Sequence, residues 1–556
     1  TMTTPLVRTL AFCSLVALSP LAAPATLYVD ANLASGADDG SSWADAFQGD
    51  QGLQDALAAA VSGDQIFVAE GSYRPTDTGG RAVAFALKNG VEIYGSFAGG
   101  EASPSERPPF GTADSVLTGD LNGDDGGGLF NDNSFHLITT TGTNASAVID
   151  GFVVSDGAAT VSGSNRDRGA GILCTSPVSP TVRNCRFLNH RALFGGAAGY
   201  VNNGGAPTFT DCTFEDGDGN NFGGAFDIAG GGPVRYERCL FRGNTADRGG
   251  ALEIFATNGV VVNNCVFIAN TCTGSGGGGA IWMGNGGNTT VRNSTIVSND
   301  AVGGNNVAGL RNQGAGGLTV SNCVFWDNAG AGGGTNSVNQ INGGNTVDHC
   351  IVQGGYTGGV AIVNADPAFT DLAGGDLTLT GASPAIDAGD NTQVVAGTTV
   401  DFAGLARFVD AAGVVDTGVG PAPVVDMGAH EFGDSPWTDL GLAMAGASGD
   451  PLLVMSGPLT GGSTVDVAVS NALGSASAWA IASVTLLAAP FKGGTLVPDA
   501  EIIVPLATTP GGTLDLSFGW PVGIPGGVST WYQVWIQDAA GPKGFAATNG
   551  VQGTTP

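Results

Sequence analysis

Basic side chains are scarce in this sequence, and so are histidines and long apolar runs. Nineteen Lys and Arg stand against 49 Asp and Glu in 556 residues, a formal net charge of −30. That balance repels phosphate backbones and anionic lipid, which argues against nucleic acid and membrane surfaces as partners. It also keeps a surface soluble without any further role. Four histidines leave little for His-based catalysis. The chain has no G-x-S-x-G elbow, H-E-x-x-H helix, phosphate loop or paired C-x-x-C site, so serine and zinc hydrolases are disfavoured. Beyond the first residues no segment approaches the roughly 20 apolar residues of a membrane span.

Hydrophobic residues make up 42% of the chain, enough for substantial cores in more than one domain. The 94 glycines far exceed the roughly 7% of ordinary proteins and follow no collagen triplet, so tight turns must be numerous. Arg8, the apolar run Leu10 to Leu18 and Ala23-Pro24-Ala25 together read as an export signal over 1–25, with the mature chain starting near Thr26. Cys13 lies inside that run, after Phe12, and does not read as a lipid-attachment cysteine.

One short pattern recurs: an apolar residue, two variable residues, Cys, one variable residue, an apolar residue. Its Cys or Ser positions are Cys185, Cys212, Cys239, Cys265, Ser294, Cys323 and Cys350, spaced by 27, 27, 26, 29, 29 and 27 residues. Glycine-led segments keep step with it, as in Gly169 to Ile172, Gly195 to Ala198, Gly223 to Phe226, Gly249 to Leu252 and Gly278 to Ile281. Units this short cannot close a core alone, but they can stack as coils about 4.8 Å apart. The Cys positions then form one inward column. Asn244, Asn270, Asn299 and Asn328 recur at a turn, where stacked amides are expected. Without Cys13 eight cysteines remain, an even number that suggests disulfides in an exported protein. Stacked residues point their Cβ atoms the same way, however, so buried thiols are the favoured reading.

With these repeats the chain resembles the pectate-lyase-like right-handed parallel β-helix proteins. Val91 to Glu101, Val116 to Asp120 and Ile149 to Val154 resemble the opening coils of bacterial surface β-helix proteins of the polymorphic-outer-membrane type. Ala382 to Asp390, Asp401 to Gly404 and Val425 to Phe432 are similar to the closing segment of exported β-helix proteins with varied anchors. The expected fold is all-β: a cap over 26–75 with an amphipathic helix from Trp43 to Val61, a β-helix over 76–370 and its closing end over 371–433. A β-sandwich-like domain over 434–556 follows, signalled by alternating runs such as Thr464 to Val469 and Trp531 to Ile536. His430 beside Glu431 reads as a packed structural pair.

Coil alignment supplies the candidate site. Taking Ala198, Phe226, Leu252, Ile281 and Leu310 as inward puts Gly199, Asp227, Glu253, Trp282 and Arg311 outward in one row. Asp227 and Glu253, one rung apart, are the candidate catalytic carboxylates, at a spacing that suits a retaining glycosidase or a shared Ca²⁺. Arg248, Trp282 and Arg311 are candidate substrate contacts for an acidic sugar and its apolar face. The Ca²⁺-plus-arginine and lysine-plus-arginine motifs of the related lyases match no particular residues here. Asp120, Asn122 and Asp124, in a D-x-N-x-D pattern, are candidate Ca²⁺ ligands, against a plain acidic turn.

The leading expectation is an exported, cell-surface or secreted protein that binds extracellular polysaccharide or a surface component without catalysis. A polysaccharide lyase or glycosidase is the alternative, and a stalk with a C-terminal anchoring or sorting domain is the third.

Overall fold

The computed structural model describes residues 24–556 except 109, 126–129, 256–258, 285–287, 305–306, 315, 344–345, 412–413, 434–435, 458, 460 and 556. Most of the expected export signal therefore lies outside the described residues. Each coil of the long middle region turns three corners between short strands. Thr208–Thr210, Thr213–Glu215, Asp218–Phe222 and Phe226–Ile228 make up one coil, and each strand pairs in parallel with its equivalent in the next. Corners demand left-handed backbone, which Asn and Asp tolerate and Gly adopts freely. At the first corner Asn184, Asp211, Arg238, Asn264, Asn293, Asn322 and His349 have φ between 46° and 54°. The third corner uses Gly169, Gly196, Gly223, Gly249 and Gly278, with φ between 52° and 73°.

The recurring Cys has a physical reason at this first corner. A corner breaks the strand ladder, leaving a backbone N–H to be satisfied inside the core. The Cys239 N–H donates to Cys265 Sγ (3.4 Å), Cys265 N–H to Ser294 Oγ (3.1 Å) and Cys323 N–H to Cys350 Sγ (3.4 Å). Thiols donate back to a carbonyl of the preceding coil, as Cys239 does to Phe209 (3.6 Å), Cys265 to Tyr236 (3.5 Å) and Cys323 to Val291 (3.5 Å). All eight cysteines of the described chain are buried free thiols, Cys174 and Cys272 included.

The second corner uses the amide ladder. Asn244 Nδ2 donates to Asn270 Oδ1 (2.9 Å), Asn270 to Asn299 (2.9 Å), Asn299 to Asn328 (2.8 Å) and Asn328 to Gln340 Oε1 (2.7 Å), all fully buried. His190 serves the same corner earlier in the stack, its Nδ1 accepting the Gly157 N–H at 3.0 Å. Between the corners Phe187, Phe214, Phe241 and Phe267 stack ring over ring, with centroids 5.2, 5.0 and 4.5 Å apart. Every one of them is fully buried; each such ring contributes about 1.5–3 kcal/mol.

The N-terminal cap is smaller than the sequence suggests. Thr26–Asp30 already pairs in parallel with Gln65–Ala69, so the first coil begins inside 26–75. The expected helix from Trp43 to Val61 is broken into one 3₁₀ turn, Trp43–Asp45, a short strand, Phe47–Gln48, and an α-helix of 8 residues, Gly52–Ala59. Gly49, at φ 70°, turns the chain where helical periodicity seemed continuous. Leu53, Ala56 and Leu57 of that helix close the end of the core.

The closing segment returns along the outside of the coils. Ala385, Ile386 and Met427 cover Val324 and Ile351, while Leu377 and Ala429 cover Val266 and Val297. Asn322 Nδ2 donates to the Asp390 carbonyl (3.0 Å), and the Ala429 N–H donates to Thr295 Oγ1 (2.9 Å). His430 is buried against Phe402, with ring centroids 5.3 Å apart, and Glu431 lies 3.4 Å from the Arg407 guanidinium, the packed pair that was expected.

The C-terminal region is a small β-sandwich of antiparallel sheets. Ser477–Ser483 runs between Ile502–Ala507 and Ser529–Gln537, and Thr464–Ser470 between Leu452–Ser456 and Leu514–Gly519. Trp437, Val465, Val469, Trp520, Val534 and Ile536 share its core. No helix among the described residues is long and apolar enough to cross a membrane.

Candidate functional site

The expected outward row exists, shifted by one residue at a single rung. Gly199 pairs with Phe226 and Tyr200 with Asp227; Asp227 then pairs with Glu253, Glu253 with Trp282 and Trp282 with Arg311. Gly195-Gly196 is the ambiguous doublet: its second glycine, not its first, takes the corner. Gly199 therefore occupies an inward place, where a Cβ would stand 2.1 Å from the Phe226 ring. The row itself reads Tyr200, Asp227, Glu253, Trp282, Arg311.

These side chains point away from the coil interior, yet they are not exposed. Asp227 and Glu253 are each 2% accessible. Arg168 Nη1 donates to Asp227 Oδ2 at 2.7 Å, and Arg248 holds Glu253 Oε1 through Nη2 at 2.7 Å and Nε at 2.9 Å. Each guanidinium is itself sandwiched between aromatic rings. Arg168 lies 4.2 Å from the Phe194 centroid and 4.9 Å from Tyr200; Arg248 lies 4.2 Å from Phe222 and 4.3 Å from Trp282. Gly195 makes this possible, since a Cβ there would stand 2.8 Å from the Asp227 carboxylate.

Burial raises both acids in spite of their arginines. Asp227 is pushed up to about 7, and Glu253, burdened next by the Asp227 charge, to about 8. Perturbed pairs of this kind mark functional sites and structural ion networks alike. A general acid or nucleophile must also reach its substrate, and here an arginine and a ring cover each carboxylate. Trp282 is buried too, its Nε1 donating to Gln313 at 3.2 Å, and Arg311 donates to the Gly276 carbonyl. The structure thus joins Asp227, Glu253, Arg248 and Trp282 in one covered cluster rather than an open row.

The acidic turn is organised by Asp120. Its Oδ1 accepts the N–H groups of Asn122 (3.2 Å), Gly123 (2.7 Å) and Asp124 (3.2 Å), and its Oδ2 that of Asp125 (3.2 Å). The carboxylates that converge are Asp120, Asp124 and Asp132, within 4.8 Å of one another, and Asn122, exposed in the same turn, donates its N–H to Asp120.

An open cleft lies on a different face. Arg186 and Arg242, on neighbouring strand columns, both pair with Glu215: Arg186 Nε at 2.5 Å to Oε2, and Arg242 Nη2 to Oε1. The carboxylate is 4% accessible, while the arginine side chains remain 43% and 55% accessible. Phe110 and Asp114, from the loop after Pro104–Glu106, form the far wall, and Val153, Thr213 and Leu240 the floor, of a cavity of about 380 Å³. The closing segment covers this column only from Val266 and Leu240 onward, which leaves the earlier rungs open.

Residues 127–296 match the family described as the right-handed beta helix region. The coil stack is a parallel β-helix of the right-handed kind that this match describes. Among solved structures, the chain is similar to the pectate lyase Pel9A at 14% identity and a TM-score of 0.36, over 74% of this chain and 98% of that one. It is also similar to the full-length tailspike protein 2 from Escherichia coli O157:H7 bacteriophage CAB120, at 11% identity and a TM-score of 0.22, over 90% and 68%. No curated protein matches the chain.

Two features of the β-helix escaped the coil alignment. Arg168 stands before the corner glycine Gly169 as Arg248 stands before Gly249, so the repeated Arg-Gly step was a usable signal. Its partner, however, lies 59 residues away, two coils on. Arg186, Glu215 and Arg242 sit two residues apart on adjacent columns, also legible in register. Phe110 and Asp114 belong to a loop with no repeat, and nothing in the period places them.

Proposed function

We propose that this protein is an exported β-helix that holds an acidic extracellular polysaccharide without cleaving it, in the cleft walled by Arg186, Arg242 and Phe110. The single observation behind this reading is the pair of half-accessible guanidinium groups anchored on one buried Glu215. Each arginine spends one side of its donor fork on Glu215 and keeps the rest toward the cleft, a local planar array suited to carboxylate or sulfate groups. That array acts at short range, against the repulsion from the acidic chain as a whole. Phe110 offers a flat apolar face to a sugar ring, and the volume falls at the small end of ordinary ligand sites. The lyase or glycosidase reading keeps one supporting fact, the raised Asp227 and Glu253 carboxyls, and has their burial against it.

Titration of polygalacturonate, alginate and a neutral glucan into the full chain tests the proposal. Binding of an acidic polymer, weakened by salt and lost at least about tenfold in Arg186→Ala/Arg242→Ala, is expected. Equal binding of the neutral glucan, or unchanged affinity in the double variant, contradicts it.

A further inference from the structure

The closing segment holds a second charged cluster that the cleft does not use. Carboxylate oxygens of Asp387, Asp410 and Asp416 lie within 4.8 Å of one another. Asp410 and Asp416 are exposed, whereas Asp387 is fully buried in a turn of the segment. Its N–H donates to Asp426 Oδ1 (2.7 Å), and its carbonyl accepts the N–H groups of Thr417 (2.9 Å) and Gly418 (3.1 Å). Its Oδ2 accepts the Ala411 N–H at 3.3 Å, and its Oδ1 has no partner among the described residues.

A buried carboxylate oxygen without a partner is costly, and more so when two further carboxylates face it. Burial, together with the Asp416 and Asp410 charges, pushes the Asp387 carboxyl up. The nearest arginine of the segment, Arg407, is engaged elsewhere, with Glu431 and the carbonyls of Asp426 and Gly428. Among the described residues no ion pair reaches Asp387, Asp410 or Asp416.

We infer that Asp387, Asp410 and Asp416 bind one Ca²⁺, which fastens the stretch around Asp410 and Asp416 to the rest of the closing segment. Ca²⁺ takes about 6–8 oxygen ligands and tolerates irregular geometry. Three carboxylates from below and water on the exposed side meet that demand. The ion gives the orphan Oδ1 a partner and offsets three like charges. It also ties Asp387 to the stretch carrying Thr417 and Gly418. The inference is independent of the glycan reading, because the cluster lies outside the cleft.

Hydrogen exchange of the full chain, with CaCl2, with MgCl2 and with chelator, reads the site locally. At Ca²⁺ about ten times its binding midpoint, amides of the 410–418 segment are expected to exchange ~10-fold more slowly than in chelator, and Mg²⁺ to do less. Asp410→Asn/Asp416→Asn changes only exposed side chains, so the fold survives, and it is expected to abolish the slowing. Exchange in 410–418 that ignores Ca²⁺, slowing that persists in the double variant, or slowing confined to the turn around Asp120 overturns the inference.

Discussion

The coils and the segment that closes them solve one problem in opposite ways. Both bury polar groups. In the coils a corner repeats, so one residue type answers every rung: Cys or Ser at the first corner, Asn at the second, Gly at the third. At these corners identical neighbours satisfy one another without charge. The closing segment has no repeat to lean on. It buries Asp387, Asp401, Arg407, Asp426, His430 and Glu431 instead, with individual rather than repeated partners, and leaves Asp387 Oδ1 without one among the described residues. Burial pushes Asp426 up to about 7 and His430 down to about 4. Repetition thus replaces charge at the coil corners, while the outward-facing acids Asp227, Glu253 and Glu215 still take individual arginines.

The sharpest way to break that contrast is Arg407→Ala. The guanidinium is fully buried beside Glu431 and two carbonyls, and its loss leaves Asp401, Asp426 and Glu431 without a buried cation. A loss of about 3–5 kcal/mol is expected, read as early urea unfolding and protease cleavage within 380–432 while the coils stay folded. Asn270→Ala should cost less, about 1–3 kcal/mol in all, because Asn244 Nδ2 keeps the Phe214 carbonyl and Asn299 Oδ1 keeps the residue-270 N–H, and it should loosen the coils rather than the closing segment.

A third test uses pH. The folded carboxyls of Asp227 and Glu253 stand above their unfolded values, so they bind protons more tightly in the folded chain. Their contribution is therefore complete at low pH and lost as pH rises through about 7 and about 8. The thermal midpoint should fall between about pH 5 and about pH 9, and Glu253→Gln should flatten that fall. The smallest expected effect is Cys212→Ser, under about 1 kcal/mol, because Ser294 already fills the same place three coils on in the same column. A large destabilisation there would show that the thiol does more than exchange hydrogen bonds.

Much of the coil region could be read from spacing alone. The Cys column, the Asn ladder and the neighbouring strands all follow from a period near 27, because side-chain direction is fixed once register is fixed. Register failed only at Gly195-Gly196, where either glycine can turn a corner and sequence offers no vote. The helix from Trp43 to Val61 was overread because Trp43, Phe47 and Leu53 keep helical intervals across a glycine turn. Site burial was not legible either. Whether an outward Asp meets solvent depends on Arg168, two coils away, and on rings from Phe194 and Phe222, which no local pattern announces.

The central functional claim is that the carboxylate pair is structural and the arginine pair binds. Incubating an acidic polysaccharide with the wild type, with Asp227→Asn/Glu253→Gln and with Arg186→Ala/Arg242→Ala, while following both binding and chain scission, tests it in one experiment. The account predicts no scission by any of the three, binding retained by the carboxylate variant and binding lost by the arginine variant. Scission by the wild type that the carboxylate variant lacks would contradict it.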